Sequence, residues 1–263
     1  EPESLYMPRG VIRKRDLGKI EMVDQQKVTE DVTRAWYIKS EPKHPFEGET
    51  RPIEENPQYD PDKGQYSWAK APRYDGLPCE VGPLARVLVA YGKGHADIKP
   101  LVDSTLKQLD IPASALFSTL GRTAARGLEA VAVGEAMQGW VTELVENLKS
   151  GDTKTYQPYE IPESGTGVGL NDVPRGALGH WIRIEDGKIG NYQYVVPSTW
   201  NLGPRDGAGN LSPVEEALIG TPVADPQKPL EVLRTVHSFD PCLACAIHVI
   251  DPHSNEVYKI RVV

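Results

Sequence analysis

The residues richest in possible chemistry lie near the end of the chain, in Asp240-Pro241-Cys242-Leu243-Ala244-Cys245-Ala246-Ile247-His248. Two cysteines three positions apart, on a turn or a first helical turn, point both sulfurs toward one centre. Thiolates there suit nickel, zinc, copper(I) or an iron–sulfur cluster. His248 lies three residues beyond Cys245, within reach of the same neighbourhood. The spacing alone leaves several readings open. A structural zinc site needs about four ligands, and no second C-x-x-C accompanies this one. A thioredoxin-like dithiol wants a strand before it and an amphipathic helix after it, and that pattern is missing. Pro241, just before the first cysteine, fits a shaped loop better than either. The remaining cysteine, Cys79, stands alone in Leu77-Pro78-Cys79-Glu80 and reads as an ordinary buried thiol.

Such a loop needs a scaffold, and the chain is long enough to build one. Its 263 residues carry Lys+Arg 29 against Asp+Glu 37, a formal charge of −8. No basic face is concentrated enough to make nucleic acid a main partner. No stretch approaches the ~18 apolar residues of a membrane-spanning helix. The opening Glu1-Pro2-Glu3-Ser4 lacks the basic start and apolar run of a secretory signal. With only three cysteines, a disulfide scaffold is excluded. Pro 23 and Gly 24 are spread along the sequence, which reads as loop-rich packing, not disorder.

Residues 1–70 show short β-like pieces, Gly10-Val11-Ile12-Arg13 and Lys19-Ile20-Glu21-Met22-Val23, and a proline-punctuated run over 41–61 that should wrap a surface. Residues 80–150 read as helical. Pro83 is placed for a first turn ahead of Leu84-Ala85-Arg86-Val87-Leu88-Val89. A second helical stretch runs from Pro112 to about Leu148 and stops at Ser150-Gly151. Gly121, Gly127, Gly134 and Gly139 recur inside it, implying either close approach of another helix or breaks between shorter helices. Residues 151–248 then offer a hairpin, with His180 to Glu185 and Tyr192 to Val196 alternating around Asp186-Gly187. Loops over 197–213 and a short helix near Pro213 follow. Residues 249–263 end in the strand-like Val257-Tyr258-Lys259-Ile260-Arg261. The expected architecture is a single domain over 1–263, α+β and α-rich, with long helices packed together, a β-hairpin and extensive irregular segments.

The C-terminal signature resembles that of the large, catalytic subunit of nickel–iron hydrogenases. Upstream blocks agree in order: Ala71-Pro72-Arg73-Tyr74 with Glu80-Val81-Gly82-Pro83-Leu84-Ala85-Arg86, then Asp172-Val173-Pro174-Arg175-Gly176-Ala177-Leu178-Gly179-His180, then Val196-Pro197-Ser198-Thr199-Trp200-Asn201-Leu202-Gly203-Pro204-Arg205-Asp206. The likeness is closest to periplasmic and membrane-bound uptake enzymes. In that family four thiolates hold nickel, and two of them bridge to an iron carrying CO and cyanide.

The resemblance makes Cys242 a terminal nickel ligand and Cys245 a ligand bridging nickel and iron. It makes Arg175 and Ser198 the donors to cyanide, with Pro174 and Asp240 completing that outer shell. Arg175 and Asp240 become the catalytic groups beside the open metal position, where heterolytic H2 cleavage needs a field or a base. Taken alone, Arg175 and Asp240 read equally as a structural ion pair, and Ser198 as a turn serine. The resemblance further implies a magnesium-type ion on His248 and the Tyr194 carbonyl. His180 is a proton-path candidate or a satisfied core histidine.

Two departures stand out. The family's other C-x-x-C, near the subunit's N-terminus, has no counterpart here, so the chain reads as the C-terminal half of a large subunit. It would need the N-terminal half, a small subunit carrying the iron–sulfur clusters, nickel-insertion proteins and a maturation endopeptidase. That endopeptidase would cut between His248 and Val249, so residues 249–263 mark an unprocessed form. Export would follow the small subunit, giving a periplasmic site. The other readings are a zinc-binding or structural module on Cys242, Cys245 and His248, an inactive precursor fragment, and a respiratory Complex I type subunit, against which the retained cysteines argue.

Overall fold

The computed structural model describes residues 5–53 and 64–242, together with the backbone of 247–250 and 257–260. Its first part follows the irregular reading. Strands β1 (Val11–Ile12) and β2 (Ile20–Glu21) form a short antiparallel pair. A second pair, β3 (Val28–Asp31) and β4 (Ala71–Tyr74), aligns Val28 with Tyr74 and Asp31 with Ala71. All four residues of β4 are buried, including Arg73.

Buried charge there is matched locally. Arg73 Nε donates to Asp206 Oδ2 at 2.7 Å and its Nη2 to the Asn210 carbonyl at 2.9 Å. Lys70 Nζ lies 3.3 Å from Glu30 and donates to Gln193 Oε1 at 2.9 Å. Burial pushes the Glu30 carboxyl above the ordinary range, against the pull of Lys70.

Helix α1 (Pro83–Gly92) begins with proline in its first turn, as expected, and buries Leu84, Val87, Leu88, Val89 and Ala90. Helix α2 (Ile98–Leu109) lies inside the region read as helical, although its own bounds are not marked in the sequence. Half of its residues are polar, and it is anchored by a single buried stripe, Ile98, Val102 and Leu106, at four-residue spacing. Helix α3 (Thr119–Lys149) is capped by Ser118, whose hydroxyl accepts from Gly121 N. These three helices meet in one core that includes Val87, Ile98, Val102, Leu116, Ala125 and Ala132.

The recurrent glycines of α3 need a correction. The helix runs unbroken, so they mark no breaks. Only Gly121 is closely approached, by the Leu116 backbone, while a methyl at Gly127, Gly134 or Gly139 would meet open space. Burial on α3 ends at Ala132. Beyond it, Met137, Trp140, Val141, Leu144, Val145 and Leu148 form an exposed apolar stripe at three- and four-residue spacing.

The expected hairpin is present but is two strands of a three-stranded antiparallel sheet. Strands β5 (Gly165–Val173), β6 (Gly176–Glu185) and β7 (Lys188–Val195) stand in that order. The glycines at 165, 167 and 169 hid β5, since they carry no alternating side chains to read. The sheet's inner face delivers Trp181 and Val195 to a second core with Val28, Tyr74 and Trp200.

The loop expected over 197–213 holds a short helix, α4 (Pro197–Leu202). Helix α5 (Pro213–Leu218) starts with Pro213 and a reciprocal Ser212–Glu215 capping box. Helix α6 (Leu230–Ser238) then leads into the cysteine segment. Strands β8 (Ile247–Ile250) and β9 (Val257–Ile260) pair antiparallel, so the strand-like end of the sequence is a strand. The result is a mixed helix-and-sheet fold with small sheets.

Candidate functional site

Helix α6 ends at Ser238 with Phe239 as its cap, and Asp240 follows in the left-handed region at φ 51°. An aspartate tolerates that conformation better than most non-glycine residues, and the left-handed residue after a helix is a common stop. Here Asp240 N donates to the His237 carbonyl at 2.9 Å. The stop turns Pro241 and Cys242 away from the helix axis.

The end of α6 is held by α3. Arg126 Nη2 donates to the Ser238 carbonyl at 3.1 Å, and the Arg122 guanidinium lies over the Phe239 ring at 3.9 Å. Arg122 is itself fixed by both oxygens of Glu80, at 2.7 and 2.9 Å. Arg122, Arg126 and Glu129 share one face of α3, so the helix presents charge to the site and apolar groups elsewhere.

Pro174 and Arg175 form the two-residue connection between β5 and β6. From it Arg175 Nε donates to the Asp240 carbonyl at 3.1 Å and stands 3.5 Å from Asp240 Oδ1. Among the described residues Arg175 Nη1 and Nη2 have no hydrogen-bond partner. Both side chains are partly open to solvent, so the pair orients more than it stabilises.

Ser198 comes from the first turn of α4, and its Oγ accepts from Cys242 N at 3.3 Å. Helix α4 is located by Asn201, which is buried. Its Oδ1 accepts from Val81 N at 3.0 Å and its Nδ2 donates to the Val81 carbonyl at 2.8 Å. The structure therefore brings together Pro174, Arg175, Ser198, Asp240 and Cys242. The Cys242 side chain is exposed.

Other expected residues fall differently. Cys245 lies outside the described residues. The backbone of His248 and Val249 lies in β8 opposite Lys259 and Tyr258, and their side chains also lie outside. Tyr194 pairs with His180 across β6–β7. His180 is half-buried: its Nδ1 is 2.6 Å from the Tyr192 hydroxyl, and its ring stacks near Tyr192 and Tyr194. Cys79 is a free, partly buried thiol whose burial, with Glu80 beside it, pushes its pKa up to about 11.

Sequence reasoning gave no role to Arg86, Glu80, Arg122 or Glu129, although Arg86 and Glu80 stand in one of the family-like blocks. Charged residues on the inward face of α3 were the available signal. An open cleft of 1510 Å³ has Arg86, Arg122, Pro174 and Asp240 in its wall.

The groups present suit a soft metal on the cysteine segment in kind: Cys242 offers an exposed thiol, and beside it stand the Asp240 carboxylate and the Arg175 guanidinium, which cannot ligate a metal but can donate to a metal's anionic ligands. Among the described residues no three His, Cys, Asp or Glu side chains gather as a metal cluster. A complete ligand set thus requires more than these residues.

A family model described as nickel-dependent hydrogenase matches residues 1–248. The uptake hydrogenase large subunit of Bradyrhizobium diazoefficiens is 46% identical over 285 residues, covering 99% of this chain and 47% of its own length. The quinone-reactive Ni/Fe-hydrogenase large chain of Wolinella succinogenes is 41% identical, covering 96% and 47%. Among solved structures, the Ni-Fe-Se hydrogenase of Desulfomicrobium baculatum superposes with a TM-score of 0.77 at 37% identity, over 91% of this chain and 48% of that one. The chain spans about half the length of the relatives it matches.

Proposed function

This chain belongs to the nickel-dependent hydrogenase family, and from that premise we propose that it supplies the C-terminal part of a large subunit catalysing reversible heterolytic oxidation of H2 to protons and electrons. The observation that carries this reading is the convergence of Arg175, Asp240, Ser198 and Cys242 from three separate elements on one point. A nickel–iron centre bound there would supply the Lewis acid that polarises H2 and takes up electrons.

The chain's own groups have separable tasks. Cys242 offers a thiolate to nickel, on a backbone held by Ser198. Cys245 is the second, bridging thiolate of the reading. Arg175 presents two nitrogens, unpartnered among the described residues, where the anionic cyanide ligands of the iron would need fixed donors, and Ser198 and Pro174 complete that outer shell in this reading. Asp240 holds Arg175 in place through its carbonyl and offers a carboxylate for the released proton. Preorganised donors of this kind are worth most when they need not reorganise during reaction. His248 and the Tyr194 carbonyl are the proposed magnesium ligands, and His180 with Tyr192 a proton relay.

Closing the nickel site needs two further thiolates, so the reading includes the N-terminal half of the subunit. It also includes a small subunit with iron–sulfur clusters, since electrons must leave. A periplasmic location accompanies that pairing. Among the described residues no helix is long and apolar enough to cross a membrane. The domain reading is one unit over 1–263 with residues 249–263 removed on maturation, and a family match that ends at 248 supports it.

The test is elemental analysis for nickel, iron, magnesium and zinc of the purified assembly, the complete large subunit with its small subunit, beside H2-dependent reduction of a viologen dye. Nickel near one equivalent with excess iron and dye reduction is the expected result. Zinc in place of nickel would overturn the reading in favour of a structural module.

A further inference from the structure

The Pro174–Arg175 connection has an unusual requirement. Two-residue hairpin loops are favoured when their central residues adopt positive φ, usually as Asn-Gly or Gly-X. Neither Pro174 nor Arg175 has positive φ, and proline fixes its own near −65°. The connection is therefore not one of the favoured primed turns, which leaves room for a contact from outside the hairpin to fix it.

Arg86 on α1 does so with its whole guanidinium. Its Nη1 donates to the Val173 carbonyl at 2.9 Å and its Nη2 to the Pro174 carbonyl at 2.9 Å. Its Nη2 also reaches Glu129 Oε2 at 2.8 Å, while Nε pairs with Glu129 Oε1 and Nη1 with Asp172 Oδ1. These contacts account for all five N–H groups an arginine possesses. Side-chain exposure is 11% for Arg86 and 15% for Glu129, so the clamp sits largely out of water. Burial would depress the Arg86 charge, but Glu129 and Asp172 more than restore it.

A second constraint acts from the same helix start. Gly176 has φ 132°, and a methyl on it would fall 2.6 Å from Gly82 N and 2.7 Å from Val81 Cγ2. The hairpin backbone is therefore pressed against the residues just before α1, while Arg86 grips it one helical turn later. Arg175 is the side chain that this double grip aims at Asp240.

We propose that Arg86, held by Glu129, is a positioning residue that sets the Pro174–Arg175 turn over the cysteine segment and thereby fixes the Arg175 guanidinium at Asp240. Arg86 makes no hydrogen bond to Arg175 or Cys242 among the described residues, so its hold on Arg175 runs through the turn. Lysine cannot replace it, because three donors on one nitrogen cannot span two carbonyls and two carboxylates in a plane. The proposal rests on the hydrogenase reading above for the reaction in which Arg175 acts.

The experiment uses the complete large subunit paired with its small subunit, carrying Arg86→Lys, Glu129→Gln, Arg175→Lys and the Arg86→Lys/Arg175→Lys double substitution. Nickel content, the infrared stretches of the diatomic iron ligands and H2-driven viologen reduction are measured on each. A misplacement of about 1 Å can cost on the order of a hundredfold in rate. Arg86→Lys is therefore expected to lower kcat by about ten- to a hundredfold with KM for H2 unchanged. Its infrared bands should shift in the same sense as those of Arg175→Lys. Glu129→Gln, which loosens the clamp without removing it, should give a smaller change of the same sign. The double variant should be no slower than Arg175→Lys alone.

Wild-type bands and kcat in Arg86→Lys, or additive losses in the double variant, would overturn the positioning role. Should Arg86→Lys fail to load nickel, Glu129→Gln decides, because unshifted bands in that variant would overturn the role equally. A wild-type protein without nickel or dye reduction would sink the hydrogenase reading itself, a distinguishable failure.

Discussion

Removing the Asp206 carboxylate should loosen the segment that follows α4 more than any surface change could. The side chains of Arg73 and Asp206 are only 4% and 5% exposed, and their Nε to Oδ2 distance is 2.7 Å. Asp206 also accepts from Asn210 N at 2.9 Å and Asn210 Nδ2 at 3.0 Å. Asp206→Ala strands a buried guanidinium, a loss of about 3–5 kcal/mol. At about 1.4 kcal/mol per tenfold, that is roughly two to four decades in a local opening equilibrium.

The assay is amide hydrogen exchange by mass spectrometry on peptides covering 66–76 and 200–212, where protection should fall by that factor. Arg73→Leu/Asp206→Leu should lose much less than the sum of its single variants, because removing both charges leaves neither stranded. Additive losses, or a single-variant change below about tenfold, would refute the argument that the pair is coupled and buried.

The pH dependence has a definite sign. Burial raises the Asp206 carboxyl, but hydrogen bonds from Arg73 and Asn210 outweigh it and leave its pKa below the ordinary value. A depressed pKa adds stability that is complete above the unfolded value near ~3.9 and is lost as pH falls through the folded one. The protection advantage of wild type over Asp206→Asn should thus narrow below about pH 4.

Two further outcomes follow from the geometry. Gly176→Ala should cost about 2–5 kcal/mol, from strain at φ 132° and from overlap with Gly82 and Val81 that backbone atoms cannot relieve; a thermal melt within about 1 °C of wild type would contradict this. Cys79, with its pKa near 11, should react with iodoacetamide at pH 8 far more slowly than exposed Cys242, and equal rates by peptide mapping would show its burial to be wrong.

The sequence was most informative where a residue's own chemistry dictates its conformation. Pro83 located the start of α1, Ser150-Gly151 the end of α3, and Asp186-Gly187 the β6–β7 turn. It was least informative where a neighbour decides. Strand β5 is defined by pairing with β6 and not by its glycine-rich side chains. Helix α2 is anchored by three buried apolar residues, too narrow a stripe to mark its bounds within a region read broadly as helical.

The site shows the same division. The cysteine signature and the Pro174-Arg175 block were legible as a family resemblance, and the structure places Pro174, Arg175, Ser198, Asp240 and Cys242 together. The supports were not legible. That Arg86 spends five donors on one turn, or that Arg122 lies over Phe239, depends on which helix faces which loop. Spacing along one chain carries no such information. The α3 glycines make the point in reverse, since Gly127, Gly134 and Gly139 look like contact points and touch nothing among the described residues.

The apolar stripe on the outer part of α3 has a consequence for the life of the protein in a cell. Trp140, Val141, Leu144 and Leu148 are each 44–58% exposed, on a helix whose 31 residues span about 46 Å at 1.5 Å each. Uncovered, such a ridge is sticky, and holdase chaperones and proteases read stickiness as incompleteness. A copy whose ridge stays uncovered is therefore expected to aggregate or be degraded sooner than one whose ridge is covered.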